Sequence, residues 1–297
     1  MNNIVELTNV TRAFSGKKAL DNVSLTLEKG QVLGLVGENA AGKTTIIKHI
    51  LGLLKPDSGT VRVFGEDPVK EPVSVLARIG YMSEEDVMPG WMRISELQRY
   101  LRGFYPTWDQ EYALKLQKDF DIPDTPFMTL SKGQRARAAL MAALAYRPDL
   151  LLFDEPSSGL DPVVRRDILG AIVRTIADEG RTVLFSSHLL GEVDRVADRI
   201  AMVKNGKVVF CDRLDNLKQS HLELTLRFPT ARTSPPHFEG VIAAEGSGRE
   251  WSVLYQGDIE DAQAFAVGLE ATIEEHRWAS LDAIFVAYAR PTIGAER

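Results

Sequence analysis

The 297-residue chain has one cysteine, Cys211, which excludes internal disulfides and fits a reducing compartment. Cys211 follows Lys207-Val208-Val209-Phe210 with no nucleophile context, so it reads as a small strand residue. No apolar run approaches the roughly 18 residues that a membrane-crossing helix needs. Leu150-Leu151-Leu152-Phe153, for example, is bounded by Asp149 and Asp154. Residues 1–6 lack a basic segment followed by an apolar core, so no secretory signal is expected. Basic charge is scarce towards the C-terminus. From Ser220 onward there are six Arg and no Lys against twelve Asp or Glu, which accounts for the whole net charge of −6. Residues 1–219 balance. Neither part has the cationic surplus that grips a phosphate backbone, so nucleic acid is not an expected partner.

What is present starts with Gly37-Glu38-Asn39-Ala40-Ala41-Gly42-Lys43-Thr44, which fits G-x-x-x-x-G-K-[ST]. The preceding Gln31-Val32-Leu33-Gly34-Leu35-Val36 reads as a buried strand, and apolar residues from Thr45 to Leu51 recur at helical spacing. Strand, glycine-bearing turn and helix N-terminus together direct backbone N–H groups and a helix dipole at an anion. In that setting Lys43 reaches β- and γ-phosphates, and the Thr44 hydroxyl can ligate Mg²⁺. The expected ligand is a nucleoside triphosphate.

The remaining texture indicates an α/β protein with a largely parallel core sheet. Residues 4–36 are strand-rich, with alternation over 4–10 and 23–27 and a turn at 15–18; residues 60–64 form another short strand. From about Ser95 to Ala145 the pattern is helical, broken by Tyr105-Pro106-Thr107-Trp108-Asp109 and by residues 121–126. Two apolar strands, 150–153 and 182–186, flank a helix near 163–177, which indicates βαβ units. Residues 200–210 read as a closing hairpin. After about Gln219 the texture changes. Alternation over 221–228, a loop at 233–236, a strand at 251–255 and a helix near 259–269 suggest a small α+β appendage over residues 220–297.

Three further segments narrow the chemistry. Leu150-Leu151-Leu152-Phe153-Asp154-Glu155 is an apolar strand ending in two carboxylates, one for a magnesium shell and one facing an attacking water. Leu130-Ser131-Lys132-Gly133-Gln134 opens a helix with Ser131 as its N-cap. Ser158-Gly159-Leu160-Asp161 and Ser187-His188 follow. In this order the motifs resemble those of ATP-binding cassette (ABC) ATPases, over about residues 4–217. The resemblance implies a phosphate-loop ATPase domain (residues 1–219) with an N-terminal antiparallel β subdomain and a helical signature subdomain near 86–145. It implies that Phe14 stacks on adenine, and that the nucleotide meets Gly37, Glu38, Asn39, Ala40, Ala41, Gly42, Lys43, Thr44 and Thr45. Thr44, Asp154 and Glu84 would meet Mg²⁺. Glu155 would be the general base, His188 the switch residue at the γ-phosphate, and Asp161 part of an inter-subunit turn. Ser131, Gly133 and Gln134 would cap the ATP held by a second cassette, a copy or a paralogue, because family members pack head to tail.

Three positions depart from the family pattern. Alanine stands at 40 where glycine is usual, Lys132 replaces the first glycine of the signature, and Glu84 replaces the lid glutamine. Lys132 either approaches the partner's phosphates or points to solvent. The stretch between Glu84 and Ser131, the Tyr-Pro-Thr-Trp-Asp run and residues 279–288 resemble ATPases of ABC-2-type bacterial exporters. That likeness implies separate membrane permease subunits and a position on the cytoplasmic face of the membrane. The loop Val87-Met88-Pro89-Gly90-Trp91-Met92 is a candidate groove for a permease helix. The alternative is a non-transport ABC ATPase acting on a macromolecular partner. A phosphate-loop kinase is disfavoured by Leu130-Ser131-Lys132-Gly133-Gln134 and Ser187-His188.

Overall fold

A computed structural model describes residues 3–84 and 88–290, with the backbone alone for residues 174–179. The elements run as follows: β1 (Asn3–Phe14), β2 (Lys17–Glu28), β3 (Val32–Val36), α1 (Lys43–Ile50), β4 (Ser58–Val63), α2 (Pro72–Leu76) and β5 (Ile79–Met82). Then come α3 (Ile94–Arg102), α4 (Gln110–Asp119), α5 (Lys132–Leu144), β6 (Leu150–Asp154), α6 (Pro162–Glu179), β7 (Thr182–Ser187), α7 (Leu190–Val196), β8 (Arg199–Lys204) and β9 (Lys207–Arg213). The last are α8 (Leu214–Ser220), β10 (His221–Arg232), β11 (Val241–Gln256), α9 (Ile259–Gly268), β12 (Thr272–Trp278) and α10 (Leu281–Ala289). Two compact units divide between Cys211 and Asp212, so α8 belongs to the second, whereas the sequence texture changes only after Gln219.

In the first unit a six-stranded sheet has the order β5-β6-β7-β3-β8-β9. β5 to β8 pair in parallel through β3, β6 and β7. Every residue of β3, β6 and β7 is buried, which explains their unbroken apolar character. A second sheet, β2-β1-β4, is antiparallel. Its inward residues Val5, Leu7, Val23, Leu25, Val61 and Val63 share one core with Ile46, Ile47 and Ile50 of α1. The phosphate loop is thus anchored between two sheets.

The Tyr-Pro-Thr-Trp-Asp run has a clear structural use in the helical region. Tyr105 stacks on Tyr146 with centroids 3.8 Å apart, and Trp108 is buried with Ala113 and Ala145. Asp109 caps α4 by accepting the Tyr112 N–H at 2.9 Å. Tyr146 donates its hydroxyl to the Ile79 carbonyl at 2.5 Å, tying this cluster to β5 beside the lid. Of the apolar loop, Val87 lies outside the described residues. Trp91 is 70% exposed beside Met128 at 68%, and the Met128 N–H bonds the Gly90 carbonyl at 2.8 Å.

The second unit is an antiparallel sheet in the order β11-β10-β12. Leu222, Leu224, Leu226 and Phe228 alternate inward from β10 to meet Ala262 and Ala266 of α9. No helix among the described residues is long and apolar enough to cross a membrane.

Candidate functional site

β3 runs straight into the phosphate loop, and α1 begins at its end. Gly42, the residue before α1, has φ +117°, and a Cβ there would lie 2.9 Å from the Ala19 carbonyl oxygen. Gly37 admits no side chain either, because its Cβ would fall 2.3 Å from the Val203 carbonyl oxygen. Ala40 has φ +62°, so this alanine occupies the left-handed backbone that a glycine would accept without strain.

A cavity of about 690 Å³ opens over this loop, large enough for a nucleotide. Asn39, Ala40, Ala41, Gly42, Lys43, Thr44 and Thr45 form its floor, while Phe14, Glu84, Glu155, Ser158 and His188 face it from other segments. Phe14 is 43% exposed, with the Arg12 guanidinium 4.9 Å from its ring centroid. Gly37 and Glu38 lie beneath the floor, where their carbonyls accept from Lys43 Nζ at 2.7 and 3.3 Å. Lys17 and Lys18 add cationic charge at the rim. The sequence reading did not single them out, because two lysines in a hairpin look like an ordinary solvated turn.

The carboxylates are held from β6 and β7. Lys43 Nζ pairs with Glu155 Oε1 at 3.1 Å, and His188 Nδ1 meets Glu155 Oε2 at 2.7 Å. Glu155 Oε1 is buried and takes no hydrogen bond, so its contact with Lys43 is purely ionic. Glu155 itself has φ +51°, a strained conformation at the strand end. Ser186 fixes it there: its hydroxyl accepts the Glu155 N–H at 2.8 Å and donates to Asp154 Oδ1 at 2.7 Å. Buried Glu192 braces the next turn by accepting from Ser157 and Ser187 at 2.6 and 2.9 Å. Ser186 and Glu192 belong to no motif, and only their closeness in sequence to His188 could have pointed to them.

The signature residues lie away from this floor. Ser131 N-caps α5, and Gln134 completes a reciprocal box: its N–H reaches Ser131 Oγ at 3.3 Å while its Oε1 accepts the Ser131 N–H at 3.0 Å. A Cβ on Gly133 would come within 2.7 Å of Val164 Cγ2, so this glycine lets α6 approach. Asp161 caps α6 by accepting the N–H groups of Val163 and Val164 at 2.9 and 3.1 Å. Lys132 is exposed, and its ammonium lies against Gly159 of its own chain. Glu84 accepts the Ser158 hydroxyl at 2.9 Å.

The side chains of Thr44, Glu84 and Asp154 carry the oxygen donors that magnesium takes. Thr44 and Glu84 line the cavity, whereas Asp154 is not among its lining residues and accepts from the Ser186 hydroxyl through Oδ1.

The ABC transporter family profile matches residues 20–158. The ABC transporter ATP-binding protein YtrB of Bacillus subtilis is 30% identical over 285 residues, covering 96% of this chain and 97% of that protein. The daunorubicin/doxorubicin resistance ATP-binding protein DrrA of Streptomyces peucetius is 37% identical over 223 residues, covering 73% and 67% respectively. Among solved structures, an ATP-binding subunit of an ABC transporter superposes with a TM-score of 0.67 at 26% identity, covering 73% of this chain and 92% of that one. With these likenesses, a phosphate loop facing Glu155 and His188 and a signature helix behind it, the chain belongs to the ATP-binding, ATP-hydrolysing subunits of ABC transporters.

Proposed function

We propose that this ATPase powers an ABC-2-type exporter, working as a pair of cassettes bound to separately encoded permease subunits. The observation that carries the reading is the division of the site. Lys43, Glu155 and His188 gather at the phosphate floor, whereas Ser131 is absent from the residues lining that cavity. A γ-phosphate on Lys43 therefore needs its outer cap from a second copy of the chain, whose α5 N-terminus and Ser131 hydroxyl suit an anion. DrrA, named for drug resistance, supports the export direction.

The chain's own residues then divide the work. Backbone N–H groups of the loop and Lys43 bind the phosphates, and Phe14 offers its ring to adenine. Arriving phosphate competes with Glu155 for Lys43, which leaves the buried Glu155 Oε1 open to accept the proton of the attacking water. His188 holds the other oxygen and keeps the carboxylate aimed. Thr44, Asp154 and Glu84 would hold Mg²⁺, which neutralises charge on the phosphates when bound.

Trp91 and Met128 form an exposed apolar pair next to the lid and supply the permease contact. The test is detergent co-purification with a membrane protein of about six apolar spans encoded nearby. The wild-type chain should co-purify and Trp91→Ala should not; unchanged recovery of the variant would remove this patch from the interface.

A further inference from the structure

Two of the family departures meet in one place. Gly159 has φ +63°, and a Cβ built on it would lie 2.3 Å from Lys132 Nζ and 3.6 Å from its Cε. The lysine that replaces a signature glycine therefore rests its ammonium on the turn after β6. On the neighbouring residue of that turn, the Ser158 hydroxyl donates to Glu84 Oε1 at 2.9 Å. Glu84, Lys132, Glu155, Ser158 and Leu160 all line a cavity of about 40 Å³. That space admits about one or two waters, enough to bridge ammonium and carboxylate. Neither Lys132 nor Glu84 has an ion-pair partner within 4.0 Å among the described residues, whereas Glu155, the other carboxylate lining this cleft, is engaged by Lys43 and His188.

We propose that Lys132 is a positioning residue for hydrolysis, acting in its own chain as the counter-charge of Glu84 across the Ser158-Gly159 turn. The proposal rests on reading Glu84 as the lid residue beside the terminal phosphate. A carboxylate there adds negative charge where the substrate brings more. Lys132 offsets it and clamps the turn that links the lid to Glu155. The two departures from the family pattern are thus one exchange: an amide and a glycine have become a carboxylate and an ammonium lining one cleft. The geometry also separates this role from a contact with the partner's phosphates. A lysine acting on the partner would work whatever residue stands at 84, whereas a counter-charge matters only while residue 84 is a carboxylate.

The experiment is a double-mutant cycle on the full chain: wild type, Lys132→Met, Glu84→Gln and both together, with Lys132→Arg as the conservative variant. Steady-state ATP hydrolysis and thermal melting are read for each. Lys132→Met keeps the aliphatic stem and should lower kcat about tenfold with KM changed less than about threefold, since the phosphate loop still binds ATP. In the Glu84→Gln background the same substitution should cost less than about twofold, and its effect on melting should shrink in parallel. Lys132→Arg should recover most of the rate. Equal losses in both backgrounds, in rate and melting alike, would overturn the proposal. If Lys132→Met does not fold, Lys132→Gln takes its place in the cycle. Failure of the functional reading looks different: the wild-type chain itself would not hydrolyse ATP, and the proposal would fall with it.

Discussion

Glu155 concentrates the chemistry into one side chain: a buried carboxylate with an unbonded oxygen, a lysine on one side, a histidine on the other and a left-handed backbone. A catalytic base that removes a proton from water is expected to be worth about 10²- to 10⁴-fold in rate. Glu155→Gln should lower turnover by that order while ATP still binds, because the amide keeps the shape and releases Lys43. Nucleotide binding measured by equilibrium dialysis, beside phosphate release, checks both halves. Ala40 makes a prediction of opposite sign. Its φ of +62° costs about 1–2 kcal/mol, part of which glycine loses again to unfolded-state entropy. Ala40→Gly should therefore raise stability by up to about 1 kcal/mol in a denaturant titration; a loss would mean that the loop is held by something other than this conformation.

At the scale of elements, the readable parts are those in which one local cause dominates. β3, β6 and β7 are buried on both faces, and continuous apolar runs announced them. α5 and α6 open on capping side chains, Ser131 and Asp161, that a sequence displays. β5 went unrecognised as a strand because its four residues sit next to the lid motif and owe their conformation to pairing with β6. β12 was missed for a related reason: six of its seven residues are exposed, so no alternation marks it, and only β10 makes it a strand. Ser186 and Glu192 were illegible because their roles depend on contacts across strands. The resemblance to ABC ATPases supplies the proposed catalytic set, yet it left the side chain of Lys132 open; its closeness to Gly159 is visible only in the folded chain.

One element carries a pH dependence. His49 in α1 is fully buried, with Nδ1 donating to the Thr45 carbonyl at 2.8 Å and Nε2 unbonded. Burial lowers its pKa below the usual histidine value, outweighing the opposite pull of the Thr45 carbonyl. The unfolded chain therefore takes up a proton near pH 6.5 that the folded chain resists. Stability from this residue is full above about pH 6.5 and is lost as pH falls below it toward the folded value, by at most about 1.4 kcal/mol per pH unit. Melting temperatures between pH 7.5 and 5 should fall less steeply for His49→Gln than for wild type. An identical slope would assign the acid sensitivity to other groups, His221 first, whose pKa burial also lowers.

For the whole molecule, the central claim is that the ATP site is composite. The first unit offers a phosphate floor and, separately, a capped signature helix, the two halves of a site that a second copy would complete. Light scattering of the Glu155→Gln chain with and without saturating ATP tests this most directly. The prediction is a mass of 32.9 kDa without nucleotide and twice that with ATP, the doubling abolished by Ser131→Arg in the signature. A chain that binds ATP fully and stays at the monomer mass would contradict the account.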